Sequence, residues 1–566
     1  MSSFTRETLE EELHIFGFSL ENDGCFEKVR DLAMLHGLDE EGITNEFVAF
    51  THTSKLKHNS QLTEVLLLQF ERERLSKKAH KQAKTPLSKN KIKREAYDDS
   101  CLDDSYNAFD GETKKSVNSP ANFKQSGSRN YSTITQSPSC TDNYTKRNNS
   151  GDIICKFGSL APKEVVRKES DTKISFLIPE EEMNRLDKFM FQKNSDKSMV
   201  VNDILEETSS LYKLFNNIEH FGHVSLPLQE KTTICGRIVS EGESKLNSST
   251  VLIQGSLETS GGRCCKLDLS NLNKYSLFPG QIVAFEGVNN NGRSFVASKI
   301  LESLWKNPEE VLLKDDMKII ISAGPYATNS SDLEPFHDLI QVIKRENPDI
   351  CIMMGPFVDC KNQNLMMQNK SYEDIFSDMM KYLRQEVEGL HTKFFIIPSE
   401  RDAHHDMVYP QNSFSLKSDE KNLRYLMNPG ILDCDGLILG YTSTDIIIHM
   451  ASEEIASSNH PEDKVTRVLK HILQQKQFYP LNPPHHDINI EYEMLEYYGK
   501  ISVTPHILIT PSDLKYFIKE INGTLCINPG RLARGNAGGT YGKALLKGDA
   551  KSKLNLETMR FEIIRI

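Results

Sequence analysis

The sequence predicts a multidomain chain: a small all-α module, a disordered linker, a small closed β-barrel and an α/β layered domain. Three observations predict it. Apolar residues recur at helical spacing over the first 75 residues. Five short apolar runs separated by Gly, Asn and Ser turns follow from about residue 232. Beyond about residue 312, near-continuous apolar runs alternate with amphipathic helical segments. The 566 residues are 38% apolar, so several cores can form, and about 150 residues per domain gives three to four units.

The same reading excludes several classes. No run approaches the ~18 apolar residues that span a bilayer, so no membrane partner is expected. The N-terminus turns acidic by Glu7 with no apolar stretch, unlike a secretory signal. The eleven cysteines are dispersed apart from Cys264-Cys265 and form no C-x-x-C pair, which excludes a zinc ribbon and a disulfide framework and fits a reducing compartment. The net charge of −11 divides into −8 over residues 1–75, +6 over 76–150 and −9 over the rest. The expected globular parts are therefore acidic, and a broad electrostatic footprint for DNA is not visible on them.

Residues 1–75 read as four short helices around one core, marked by Leu9, Leu13 and Phe16, then Phe26, Val29, Leu32 and Ala33, then Ile43, Phe47 and Phe50, then Leu62, Val65, Leu66 and Phe70. Such a module serves packing or docks another protein. Residues 76–150 are dominated by Lys, Ser, Asn, Asp and Thr, a composition too poor in apolar surface to offset ordering entropy. Within them Lys89, Lys91, Lys93 and Arg94 form a candidate nuclear import signal, the alternative being a solvated charge run. Thr85, Ser119 and Ser137 each precede proline and are candidate phosphorylation sites.

Helical segments are expected over 179–191 and 202–215. Strands follow at 232–239, 250–254, 264–269, 281–287 and 294–300. Five short strands of this spacing suggest an OB-type barrel. The domain is drawn as 151–306 with its preceding helical segment, although the sequence leaves open whether 151–230 belongs to the barrel, to the next domain or to neither. From 307 to 566, strands at 319–322, 350–355, 394–398, 436–440, 506–510 and 524–528 alternate with helices at 333–345, 372–387 and 463–475. Chemistry in such a layered domain sits in the loops at the strand ends.

Those loops resemble the calcineurin-like phosphoesterase fold with its metal ligands lost. A binuclear centre needs a bridging carboxylate and several imidazoles. The first loop holds Ser322 and Gly324, with neither Asp nor His. In the second, Pro356 stands at the bridging position, followed by Asp359. The third holds Arg401 where the frame has His, then Asp402, and a later one holds Pro511 and Asp513. No catalytic residue, metal or cofactor is assigned. His404-His405, His449, His485-His486 and His506 occupy none of the frame's ligand positions and read as surface or loop histidines.

With these residues in view the whole chain resembles the B-subunit family of DNA polymerase alpha–primase. The segments that carry the likeness are Phe278-Pro279-Gly280-Gln281, Gly355-Pro356-Phe357-Val358-Asp359, Phe478 to Pro484, Thr510 to Phe517 and Cys526 to Leu532. The resemblance implies a non-catalytic nuclear accessory subunit. Its partners would be the C-terminal region of the polymerase catalytic subunit, the primase subunits within the complex, and other replication proteins through the N-terminal module. Pro325, Pro356, Phe357 and Pro511, freed from metal duty, would offer contact surface or simply pack the loops. Two alternatives stand beside it: an accessory subunit of the delta or epsilon type, and a single-strand DNA binder acting through the barrel. The last needs aromatic platforms beside basic groups, and Phe285 reads better as core, so DNA contact is expected to be weak or indirect.

Overall fold

The computed structural model describes residues 144–161, 174–176, 191–242, 245–302, 306–362, 364, 370–416, 422–548 and 557–566, with positions 9, 19–20, 23–36, 43–44, 61–62, 67 and 70 of the N-terminal part. Thr85, Ser119, Ser137, Lys89, Lys91, Lys93 and Arg94 lie outside the described residues, as do most of the expected helix 179–191 and Trp305. The chain divides into two compact units, Met1–Asp99 and Ser100–Ile566.

In the first unit the helix Asp23–His36 buries Cys25, Val29, Leu32 and Ala33 along one stripe. Leu9, Ile43, Leu67 and Phe70 are buried too. One expectation is corrected: Gln61–Leu62 pairs in parallel with Ser19–Leu20, so Leu62 belongs to a short strand and not to the fourth helix.

The second unit begins with a closed five-stranded barrel in the order Ser294–Ile300, Cys264–Asp268, Val251–Gln254, Leu228–Ser240, Ile282–Asn289. Its five strands fall where apolar alternation placed them. Ile234, Ile238, Val251, Ile253, Leu267, Phe285 and Phe295 fill its interior, all at most 1% exposed. The helix Asn194–Asn216 starts eight residues earlier than expected and buries Leu205 and Tyr212 against Cys235, Ile282 and Ala284 of the barrel wall.

The α/β domain stacks two sheets. One has seven strands, ordered Leu423–Tyr425, Lys393–Ile397, Ile350–Met354, Met317–Ala323, Thr540–Leu546, Met559–Arg565 and Ile153–Phe157. The other has six, ordered Phe517–Ile521, Thr524–Asn528, Ile507–Ile509, Leu437–Tyr441, Gly430–Cys434 and Ile174–Phe176. Ile319, Ile321, Ile350, Ile352, Leu432, Leu439, Ile507 and Ile527 pack between them. The helices Glu334–Glu346 and Tyr372–Val387 cover the outer face of the first sheet, and Ile446–Glu453 and Lys464–Gln475 that of the second. Strands buried on both faces explain the near-continuous apolar runs. The expected fold class is thus present among the described residues: a β-barrel and an α/β layered domain in the second unit, and a helix in the first.

Strand pairing corrects the domain boundaries. Ile153–Phe157 is the edge strand beside Met559–Arg565, and Ile174–Phe176 is the edge strand beside Gly430–Cys434. The strands Ile153–Phe157 and Ile174–Phe176 therefore belong to the α/β layers and not to the barrel drawn as 151–306. The linker drawn to 150 also ends early. Tyr144 is buried, its hydroxyl donates to Asp338 Oδ2 at 2.8 Å, and Arg147 Nε donates to the terminal carbonyl of Ile566 at 2.9 Å. These segments were illegible because a short edge strand gains its stability from a neighbour hundreds of residues away, and its own periodicity is slight.

Barrel and layers form one body. Ser276–Leu277 of the barrel pairs antiparallel with Ile455–Ala456. Gln475 spans the seam, accepting from Ile282 N and donating to Ile282 O, both at 2.9 Å. Gly280, at φ 94°, presses onto the following segment, where a Cβ would stand 2.4 Å from Asn482 N, and Asn482 N donates to Pro279 O at 3.0 Å. Only glycine fits that turn.

Candidate functional site

Four strand ends converge on one side of the α/β domain. Ser322, expected in the first loop, lies within the strand Met317–Ala323 and is fully buried with its hydroxyl 3.1 Å from that of Tyr326. Gly324 is fixed by Gly324 N to Met354 O, 2.9 Å, and a Cβ there would stand 1.9 Å from Pro356 O. After Ile350–Met354, Phe357 stacks on Tyr326 with centroids 4.8 Å apart and is 1% exposed. Pro356 and Pro511 are buried as well. Of the two readings of these residues, loop packing holds for Pro356, Phe357 and Pro511, and they offer no contact surface.

After Lys393–Ile397, Asp402 is completely buried. Its carboxylate accepts from the amides of Phe357 at 2.5 Å, Val358 at 3.1 Å and Ser399 at 2.9 Å. Burial pushes its pKa up to about 7, while the three amide donors pull it back. Asp402 therefore ties the second loop to the third.

Asp359 and Asp513 belong to a chain of alternating charge. The Arg401 guanidinium grips Asp359 through Nε at 3.2 Å and through Nη2. Its Nη1 reaches Asp513 at 3.3 Å. Asp513 accepts from Arg531 Nε at 2.6 Å, and Arg531 Nη2 lies 3.6 Å from Asp445. Asp445 in turn accepts from Asp513 N at 2.6 Å. Burial raises the Asp513 carboxyl, but Arg531 and then Arg401 overcome it and hold it well below the usual carboxylate range. Burial raises Asp445. Glu400, half-buried beside this chain, is raised by desolvation too and accepts from Thr444 Oγ1 and from Asn428 Nδ2. The arrangement joins the loops after five different strands electrostatically. Every guanidinium in it is turned toward carboxylates.

Sequence reasoning placed Asp359, Arg401, Asp402 and Asp513 together and missed Asp445, Glu400 and Arg531. Arg531 lay in a segment quoted for its likeness only, and its position directly after the strand Thr524–Asn528 was the available signal.

The histidines are corrected in part. His404 is buried between Phe376 and Phe414, at centroid distances of 4.2 and 5.0 Å, and burial lowers its pKa to about 4. His449 is buried on the helix Ile446–Glu453 and stacks on His485 at 4.2 Å. Of the two only His449 departs from the surface-or-loop expectation, since His404 stands in a loop. His506 accepts from Ile438 N at 2.9 Å and its Nε2 lies 2.6 Å from Glu309 O. His486 is exposed as expected. In the barrel, Phe278, Phe285 and Phe295 are all fully buried, so none of them is a stacking platform for bases.

The molecule is thus a β-barrel fused to a two-sheet α/β domain whose strand-end loops are cross-linked by Arg–Asp pairs. A family model for the B subunit of DNA polymerases alpha and epsilon matches residues 319–519. Models for the OB domain and the N-terminal region of the DNA polymerase alpha B-subunit match 198–303 and 7–77. The mouse B-subunit of DNA polymerase alpha is 34% identical over 96% of both chains, and the bovine one 35% identical over 90% of both. That of Saccharomyces cerevisiae is 27% identical over 62% of this chain and 59% of its own. The chain belongs to the B-subunit family of DNA polymerase alpha. Among solved structures, a novel archaeal phosphodiesterase matches over 44% of this chain and 100% of its own, at 16% identity and a TM-score of 0.23, too low to support an argument.

Proposed function

We propose that this chain is the non-catalytic scaffold of a polymerase alpha–primase assembly. Its Ser100–Ile566 unit docks the C-terminal region of the catalytic subunit and so supports initiation of DNA synthesis by primer formation. The observation that carries the reading is the ion-pair chain Asp359–Arg401–Asp513–Arg531–Asp445. Two fixed cations stand among the carboxylates that a pair of divalent ions would need, and Pro356 has no side-chain donor. The residues present do not suit a binuclear centre, and no hydrolytic step follows from them. A rigid body of barrel plus layers is what remains useful. Its helix pair Asn194–Asn216 and Tyr492–Tyr498 leaves Met199, Leu214, Phe215 and Tyr497 exposed, apolar area of the kind a stable partner covers.

The primase subunits join through the catalytic chain, and the N-terminal module recruits further replication proteins. Nuclear residence, import through Lys89, Lys91, Lys93 and Arg94, and phosphorylation at Thr85, Ser119 and Ser137 belong to the same reading. The test is affinity of a fragment covering residues 100–566 for the catalytic C-terminal region across a salt series. Retained binding with modest salt dependence is expected, because an obligate contact buries over ~2,000 Å² with an apolar centre. Loss of binding by a folded fragment would transfer docking to the N-terminal module. In parallel, the full chain should turn over no phosphodiester with Mn²⁺ present, and turnover abolished by Asp359→Asn would overturn the scaffold reading.

A further inference from the structure

Outside the ion-pair chain, a second cluster has a different character. His449, His485 and Asp487 each offer one ligand atom, and these atoms lie within 4.8 Å of one another. The three residues come from two elements: the helix Ile446–Glu453 and the segment after Phe478-Tyr479-Pro480. One buried hydroxyl holds both elements in place. Tyr479 OH lies 3.2 Å from His449 Nδ1 and accepts from His485 N at 3.1 Å. A contact of this kind fixes the rotation of an imidazole and leaves its other nitrogen to a ligand.

We propose that His449, His485 and Asp487 bind a single divalent transition-metal ion, zinc in the first instance. Two imidazoles and one carboxylate suit zinc. Metal–nitrogen bonds of about 2.0–2.1 Å need neighbouring ligand atoms about 3.3 Å apart, so the half-exposed His485 and exposed Asp487 close on the fixed His449 by about 1.5 Å. Burial favours the neutral, metal-binding form of both imidazoles, reinforced at His449 by His485 and at His485 by His486. The surrounding charge is mixed. Lys361 faces both histidines and opposes a cation, Glu453 faces His485 and favours one, and His486 Nε2 lies 3.2 Å from Asp487 Oδ1. The fourth position is left to water or to a partner's side chain. The ion would clamp the 478–491 segment to the helix, and no reaction is assigned to it.

The test uses the full chain after chelator treatment, titrated with Co²⁺ and followed by visible d–d absorption, with Zn²⁺ measured by displacement. One equivalent of Co²⁺ is expected to saturate an imidazole–carboxylate type spectrum. His485→Ala and Asp487→Asn, at sites exposed enough to keep the fold, are expected to weaken binding by at least about tenfold, and Tyr479→Phe by about 10–100-fold through lost positioning. A thermal melt without metal verifies that each variant is folded. Absence of saturable binding in the unmodified chain overturns the proposal. So does unchanged binding in the His485→Ala/Asp487→Asn double variant, or a thiolate charge-transfer band that places the ion on cysteine.

Discussion

Arg401 stands between Asp359, whose side chain is 7% exposed, and Asp513. Removing one partner of a buried pair leaves an uncompensated charge, which costs more than the pair itself contributes. Arg401→Ala is therefore expected to destabilise the Ser100–Ile566 unit by about 3 kcal/mol, read as a lowered denaturation midpoint. Arg401→Ala combined with Asp359→Asn should recover part of that loss, since no orphaned carboxylate remains. Asp513 supplies a pH signature. Its folded-state pKa is depressed by Arg531 and Arg401, so its contribution is present above the unfolded carboxylate value of about 3.9 and is lost as pH falls below it. Melting temperature should drop more steeply between about pH 5 and pH 3 in the parent chain than in Asp513→Asn. Parallel acid limbs would remove Asp513 from the account.

At the level of elements, Ile153–Phe157 covers Met559–Arg565, which would otherwise be the edge of the sheet, and Tyr144 and Arg147 fasten its approach to Asp338 and the C-terminus. An uncovered edge is a template for association between chains. A fragment starting at residue 159 should melt lower and self-associate in sedimentation, whereas one starting at residue 140 should match a fragment starting at 100. Equal behaviour of all three would make the strand an ornament of the sheet. Composition read this stretch as the end of a polar linker and the start of a barrel domain. Nothing local in Ile153-Ile154-Cys155-Lys156-Phe157 tells which sheet it completes. The barrel strands were legible for the opposite reason: each pairs with a near neighbour in sequence, and Gly, Asn and Ser turns mark off the short apolar runs.

Across the whole molecule, the segments quoted for their family likeness turn out to meet. The Phe278-Pro279-Gly280-Gln281 turn packs on Pro480 and Asn482, and Phe278 is buried in the α/β core with Phe478, Tyr479 and Leu481. The seam's polar stitch is Gln475 on both backbone groups of Ile282. Gln475→Ala leaves a buried N–H and C=O unpaired, each costing about 1–3 kcal/mol. The expected outcome is faster proteolysis within residues 301–316 and weaker capture of the catalytic C-terminal region, with the barrel itself still folded. Unchanged proteolysis and unchanged capture would show that apolar packing alone fixes the seam.

The sequence by itself determined the order of parts, the five barrel strands, the alternation of strand and helix, and the three loops in which Asp359, Arg401, Asp402 and Asp513 stand. These are local properties: periodicity of 2 or 3.6, turn residues, and side-chain chemistry at strand ends. Only the tertiary structure decided that Arg531 and Asp445 complete the ion-pair chain, that Pro356, Phe357 and Pro511 pack inside, that Ile153–Phe157 joins the C-terminal strand, and that His449 meets His485 under Tyr479. Each of those joins residues separated by tens to hundreds of positions. Such contacts depend on which strand ends converge in space, and convergence is set by sheet order, which no local pattern encodes.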